Sequence, residues 1–166
     1  MYRRFSKAFY GLTILLFLLV FLYIYSASPE FVTYEMSDRG LPLKQFSKET
    51  FFYLFIGVFL VVNALLMLPA KMIEMEYTPI LRRVFPRGEG FREQVISWFY
   101  SFAAVLNIST VILIFYLHSI TNQNEISSSE FNFFFYLIPV LIALWIGGFF
   151  FILVNRVRQV KSAASL

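Results

Sequence analysis

The side chains that could perform chemistry are few in this 166-residue chain. His118 is the single histidine and cysteine is absent, which removes thiolate nucleophiles, disulfide exchange and iron–sulfur ligation. One imidazole without a neighbouring Glu-x-x-His pair does not complete a zinc, di-iron or two-histidine haem site. The sequence also lacks a glycine-rich phosphate loop and a serine nucleophile elbow. We therefore expect no catalytic residue, no metal and no cofactor, and we interpret His118 as a residue of the membrane interface.

A few small and amide side chains are the candidates for polar contacts within long apolar stretches: Asn63, Ser97, Ser101, Ala104 and Asn107. At helical spacing Ser97, Ser101 and Ala104 fall on one face, and small residues let another helix approach closely. Asn63 and Ser101 lie equally far from the ends of their apolar stretches, which predicts a hydrogen bond between them. Asn107, near the middle of its stretch, needs a partner as well. Such amides can be substrate ligands, but bonding between helices is their commoner role in membranes.

Arginines are concentrated between two of the apolar stretches, at Arg82, Arg83, Arg87 and Arg92. The segment 80–85 mixes apolar and basic residues, a pattern suited to the headgroup layer above anionic lipid. We expect these arginines to contact anionic lipid headgroups. A peripheral regulatory helix is one interpretation of the segment. We favour a re-entry turn held by its own arginines, because membrane orientation alone requires such charges. For the same reason the net charge of +4 does not indicate nucleic-acid binding.

Four runs without Asp, Glu, Lys or Arg carry these residues: 8–29, 50–70, 94–118 and 131–155. Each meets the roughly 20 residues that a helix needs to cross about 30 Å of hydrocarbon. Charged residues make up 14% of the chain, against roughly 25% in soluble domains. We therefore predict an all-α integral membrane protein, with residues 1–166 forming a single membrane domain folded as a four-transmembrane-helix bundle. An aromatic surface for quinone, lipid or pigment is one interpretation of the 22 Phe and 10 Tyr residues. We favour bulky lipid-facing side chains and aromatic anchors at the membrane interface.

Basic residues are distributed unevenly among the connecting segments. Eleven of the 14 Lys and Arg residues precede the first run or lie in the loop 71–93 or the tail 156–166, and the other three lie in the loop 30–49. The positive-inside rule then places both termini and the loop 71–93 in the cytoplasm, with the loops 30–49 and 119–130 outside. We expect the first run to persist as a span, because it exceeds a signal-peptide core and Pro29 would follow the cleavage site. This multi-pass arrangement fits a bacterial inner membrane.

Local signals mark the ends of the helices. Ser47 is a typical N-cap, which predicts that the second helix begins just before the run 50–70. That helix is expected to continue past residue 70 until Pro79 disfavours it. Residues 127–130, Ser-Ser-Ser-Glu, match a capping box before the fourth run. Pro139 is expected to kink the fourth helix.

The absence of Asp, Glu, Lys and Arg within the runs also bears on function, because proton-coupled carriers and ion pathways place such groups at membrane depth. We expect a non-catalytic accessory or scaffold subunit of a larger membrane complex, with other membrane subunits and the lipid bilayer as partners. A small oligomeric transporter or channel for an apolar or neutral solute is one alternative. The other is a membrane enzyme acting on lipid or quinone through its surface charges, where no base–nucleophile pair is apparent.

Overall fold

The computed structural model describes residues 2–37, 40–122 and 132–164. Four helices are long and apolar enough to cross a membrane, which confirms the predicted number of candidate spans. In chain order the elements are α1 (Tyr2–Ala27), β1 (Phe31–Met36), β2 (Pro42–Ser47), α2 (Lys48–Met75), α3 (Pro79–Val84), α4 (Gly90–Asn122) and α5 (Asn132–Ala164).

The long helices extend beyond the uncharged runs at the end of the bundle where the charges lie. α1 begins at Tyr2, α2 continues to Met75, α4 begins at Gly90 and α5 continues to Ala164. Lys, Arg and Glu are good helix formers, so charge ends a membrane span without ending the helix. The extra turns bring the N-terminal residues, the segment 71–93 and Arg156 together, and we call this the charged end of the bundle.

α4 is the central helix. It packs against α1, α2, α5 and β1. In an apolar stretch of 18 residues within α4, 56% of the residues are buried, against 22% in the corresponding stretches of α1 and α2. In the corresponding apolar stretch of α5, 0% of the residues are buried, and the main packing partner of α5 is α4. The predicted four-helix bundle is therefore a three-helix core of α1, α2 and α4, with α5 attached to one side of it.

Phenylalanine rings fill the space between α1 and α2. Phe17 stacks on Phe59 with ring centroids 4.0 Å apart, and Phe21 lies 5.7 Å from Phe51. All four are buried. On each helix the two rings lie four or eight residues apart, which is about one or two helical turns, so one stripe of each helix faces the other. Our interpretation of phenylalanine as lipid-facing is therefore wrong for these rings, which form the core.

The loop 30–49 contains an antiparallel hairpin of β1 and β2, a departure from the predicted all-α fold. Within it Glu35 pairs with Lys44 at 2.6 Å, and the hydrogen bond to the carboxylate raises the pKa of the lysine. The hairpin docks on α4, where Thr33 N–H donates to Thr121 Oγ1 at 3.0 Å. Gly40, at φ 75°, supplies the left-handed conformation near the turn.

The predicted start of α2 is confirmed, because Ser47 is the N-cap and its hydroxyl accepts from Thr50 N–H at 3.2 Å. Its predicted continuation past residue 70 is confirmed as well. Pro139 lies inside α5, which continues on both sides of it from Asn132 to Ala164. The predicted capping box at 127–130 lies outside the described residues.

Candidate functional site

Three helices meet through a buried polar cluster formed by Thr13 of α1, Asn63 of α2 and Asn107 of α4. The two amides bond reciprocally: Asn63 Nδ2 donates to Asn107 Oδ1 at 2.9 Å, and Asn107 Nδ2 donates to Asn63 Oδ1 at 3.3 Å. Asn107 Nδ2 also donates to Thr13 Oγ1 at 3.3 Å. The remaining donors are directed to backbone carbonyls, from Asn63 to Phe59 and from Thr13 to Tyr10. Every N–H of both amides is therefore used within the protein, which is the bonding expected of a packing contact.

The predicted hydrogen bond between Asn63 and Ser101 is wrong. Ser101 Oγ donates to the carbonyl of Trp98 at 3.1 Å and accepts from Trp145 Nε1 at 3.0 Å. Asn63 instead pairs with Asn107, one of the residues that the sequence placed in need of a partner. Equal counts from the ends of two runs did not correspond to equal depth, because tilt and rotation are set by helix packing.

Two tryptophans join α5 to α4. Trp98 Nε1 donates to the carbonyl of Trp145 at 2.8 Å, and Trp145 Nε1 donates to Ser101. The Trp98 ring lies 4.4 Å from that of Phe149. Each indole N–H thus has a partner on the opposite helix, which fixes the register of α5 within an otherwise apolar contact.

At the charged end, Glu74 of α2 is the anion around which cations from two helices gather. Its side chain is 14% exposed. Arg3 bonds to it at 2.9 Å, Lys7 is a closer partner, and Lys71 pairs with it at 3.2 Å. Tyr100 Oη donates to the same carboxylate at 3.4 Å. A buried carboxylate needs such compensation, and here it ties α1 and α4 to the end of α2.

Glu76 follows α2 in the left-handed conformation, at φ 52° and ψ 45°. Its side chain is 10% exposed, and its carboxylate contacts Arg87 at 2.5 Å and Arg92 at 3.4 Å. Arg92 also donates to the carbonyls of Ile73 and Glu74, at 3.2 and 3.0 Å. The Ile73 carbonyl also accepts from the N–H of Glu76 at 3.3 Å, whereas the Glu74 carbonyl is one of those that the end of a helix leaves without a donor from the helix itself. With its side chain 8% exposed, Arg92 is an internal cap of α2. Contrary to the sequence prediction, it does not present an exposed cation to lipid headgroups.

The other predicted headgroup contacts lie nearer the surface. Arg82 and Arg87 have side chains 69% and 78% exposed, and both reach Glu76, Arg82 at 3.8 Å. Arg83 is exposed and makes no ion pair within the part of the chain that the structure describes. Of the predicted cluster, Arg83 is thus the cation least engaged by the protein.

The predicted small-residue face of α4 is divided between different neighbours. Ala104 is fully buried, whereas Ser101 bonds to Trp145 of α5. Ser97 is 9% exposed, and its hydroxyl has no hydrogen-bond partner among the described residues. It lines an open cleft of about 600 Å³, which we call the α1/α4/α5 cleft. The cleft is lined by Tyr2, Ser6, Gly90, Glu93, Gln94, Ser97, Trp98, Ser101 and Ile152.

Sequence reasoning missed several residues of these contacts, namely Thr13, Glu74, Glu76, Trp98 and Trp145. A signal existed for the two glutamates, because acidic residues stand among basic ones in a segment expected to be positive. The hydroxyl and indole partners gave no comparable signal, since single Thr and Trp residues are common in membrane helices and at their ends.

Among the described residues, no group of three His, Asp or Glu side chains could hold a metal ion. Comparisons of the chain with protein-family models, with curated proteins and with solved structures find no match.

Proposed function

We propose that this chain is a non-catalytic accessory or scaffold subunit of a larger multi-subunit membrane complex, in which α5 contacts another subunit. The observation that carries the proposal is the position of α5. In its 18-residue apolar stretch, 0% of the residues are buried against the rest of the chain. A helix held by one neighbour can recruit a further helix without disturbing the core of α1, α2 and α4.

The outward side of α5 has the geometry of a helix-packing seam. Val140, Leu144, Phe151 and Val154 are 54%, 62%, 67% and 46% exposed, and Gly147 between them is exposed too. Their spacing alternates between four and three residues, the repeat with which one helix packs along another. A small residue at the centre of such a seam allows close approach.

The two alternatives receive less support from the same contacts. A transporter needs polar groups available to a solute, but the amides of Asn63 and Asn107 bond to each other and to neighbouring groups. A lipid or quinone enzyme needs a reactive pair, whereas the carboxylates of Glu74 and Glu76 are held by cations. Both arrangements favour a structural role for the buried polar residues.

We further propose that the charged end faces the cytoplasm and that the membrane is a bacterial inner membrane. The N-terminal residues, the segment 71–93 and Arg156 share one end of the bundle, as Arg3 bonds to Glu93 at 3.0 Å and Arg156 to Glu89 at 2.7 Å. This is the end rich in Lys and Arg, and positive flanks are retained on the cytoplasmic side.

The proposal is tested by purifying the native protein in mild detergent and identifying the proteins that migrate with it. Leu144→Trp should lower the recovery of those partners several-fold, because it adds bulk to the seam. Leu19→Trp is the matched control, since Leu19 on α1 is 61% exposed and lies on a different helix. A wild-type protein recovered only as a monomer would contradict the proposal. A homo-oligomer that passes solute in liposomes would favour the transporter.

A further inference from the structure

The α1/α4/α5 cleft lies next to a second, polar pocket at the charged end. This basic pocket has a volume of about 320 Å³ and is lined by Arg3, Arg4, Lys7 and Glu93. Glu93 lines both spaces, so they adjoin each other. One space carries Trp98 and Ile152, and the other is dominated by cations. The pair therefore has the polarity of a single amphiphile with an anionic head.

We propose that the α1/α4/α5 cleft and the basic pocket together bind one anionic phospholipid, with its phosphate in the basic pocket and an acyl chain in the cleft. From Gly90 to Ser101 the cleft follows α4 over about 16 Å at 1.5 Å per residue. This length leads from the headgroup level into the uncharged part of the helix, as an acyl chain does.

Ser97 has a hydroxyl that makes no hydrogen bond to a described group of the protein and is therefore available to a ligand. Its Oγ is buried, and no described group bonds to it, although a helical serine can usually donate to a carbonyl in the preceding turn. An unpaired buried hydroxyl is costly unless something else accepts its hydrogen bond. Ser97 lines the cleft between its polar and apolar ends. The ester oxygens of a phospholipid likewise lie between phosphate and acyl chain, and they are hydrogen-bond acceptors.

Arg4 supplies the positive charge that would pair with the lipid phosphate. Arg3 is already shared between Glu74 and Glu93, and Lys7 is paired with Glu74. Arg4 is exposed and has no ion pair within the described ranges. It is therefore the cation of the basic pocket that is available to a phosphate, for which a guanidinium is well suited. The partly exposed Glu93 carboxylate also faces this site, and its pairing with Arg3 limits its repulsion of the phosphate.

Binding is measured by native mass spectrometry of the full chain in detergent, with phosphatidylglycerol and phosphatidylcholine of identical acyl chains. We expect one phosphatidylglycerol per chain and weaker retention of phosphatidylcholine. Arg4→Gln should weaken phosphatidylglycerol binding about fivefold, the effect of one cation near an anionic headgroup. Arg83→Gln removes an exposed arginine that lines neither space and has no ion pair among the described residues. It should leave the binding of this one phosphatidylglycerol unchanged, whatever contact Arg83 makes with bulk headgroups.

Ser97→Phe should abolish retention of both lipids by filling the cleft, with helical circular dichroism reporting whether the chain still folds. Arg4→Gln changes an exposed side chain and so keeps the test valid if Ser97→Phe does not fold. Equal retention of the two lipids by the wild type, or equal losses in Arg4→Gln and Arg83→Gln, would overturn the proposal. The proposal would also be overturned if inorganic phosphate displaced bound phosphatidylglycerol as effectively as free phosphatidylglycerol does, because this would indicate a site for free anions.

Discussion

At the residue scale, the reciprocal amide pair of Asn63 and Asn107 should couple α2 to α4 energetically. Asn107 is 2% exposed, and its Nδ2 also donates a hydrogen bond to Thr13 Oγ1. We expect a double-mutant cycle of Asn63→Ala and Asn107→Ala to give a coupling of about 0.6 kcal/mol and at most about 1.7 kcal/mol, the range for hydrogen bonds between membrane helices. The measurement is unfolding by a denaturing detergent in mixed micelles.

The same cycle run with Asn63→Ala and Ser101→Ala is the matched control. These two side chains bond to different groups, so their effects should add within about 0.5 kcal/mol. Additivity in the Asn63 and Asn107 cycle would contradict the proposed role of the pair.

Arg92 should contribute far more to stability than Arg83, although they belong to the same basic segment. Arg92→Ala removes a buried cation from Glu76 and from two carbonyls that end α2. Because a hydrogen bond to a charged group stabilises a protein by about 2 kcal/mol, we expect Arg92→Ala to lower the free energy of unfolding by about that amount. Arg83→Ala changes an exposed side chain and should stay within about 0.5 kcal/mol of the wild type. Equal losses in the same unfolding experiment would show that Arg92 is not an internal cap.

Sequence reasoning identified Asn63 and Asn107 as polar packing residues because amides are costly in hydrocarbon and therefore conspicuous. It assigned Asn63 the wrong partner, since counting along each helix gives neither its tilt nor its rotation. Arg92 was misplaced for a related reason. A cation beside a span favours either headgroups or the carbonyls at a helix end, and only the packing of α4 against α2 decides between them.

At the element scale, the hairpin should be held on α4 by Thr121. Thr121→Val removes the acceptor of the Thr33 N–H, and Thr33 is 3% exposed. An unsatisfied buried donor costs about 1 kcal/mol or more. The amides of β1 should then exchange with solvent at least about fivefold faster, as measured by hydrogen–deuterium exchange.

Thr110→Val provides the control for that change. Both threonines donate to a carbonyl one turn earlier in α4, but Thr110 does not bond to the hairpin. Exchange of the β1 amides should therefore match the wild type in Thr110→Val. The same acceleration in both variants would assign the effect to α4 itself.

The four long helices were predictable because uncharged runs of that length have few other uses. The hairpin was not, although Val32, Tyr34 and Met36 of β1 alternate with polar residues. Its partner strand Pro42–Ser47 has no such alternation, and one short alternating run is a weak strand signal. The peripheral position of α5 was equally hidden, since a lipid-facing helix and a core helix of a membrane bundle have similar apolar sequences.

At the scale of the whole molecule, charge is organised by pairing as well as by number. The charged end holds most of the basic residues, and its glutamates join Arg3 of α1, Arg92 of α4 and Arg156 of α5 in ion pairs. The opposite end carries the hairpin, with its own pair of Glu35 and Lys44. A molecule with this polarity should have one orientation in the bilayer.

That orientation can be measured cleanly, because the chain contains no cysteine and each introduced thiol is the only one. Leu41→Cys places a thiol on the hairpin, at a position where the native side chain is 61% exposed, and Arg83→Cys places one at the exposed surface of the charged end. With a membrane-impermeant maleimide, Leu41→Cys should react in intact cells, whereas Arg83→Cys should react only after permeabilisation. The cysteine-free wild type gives the background. The reverse pattern would place the charged end outside and contradict the positive-inside argument, while labelling of both thiols in intact cells would indicate mixed insertion.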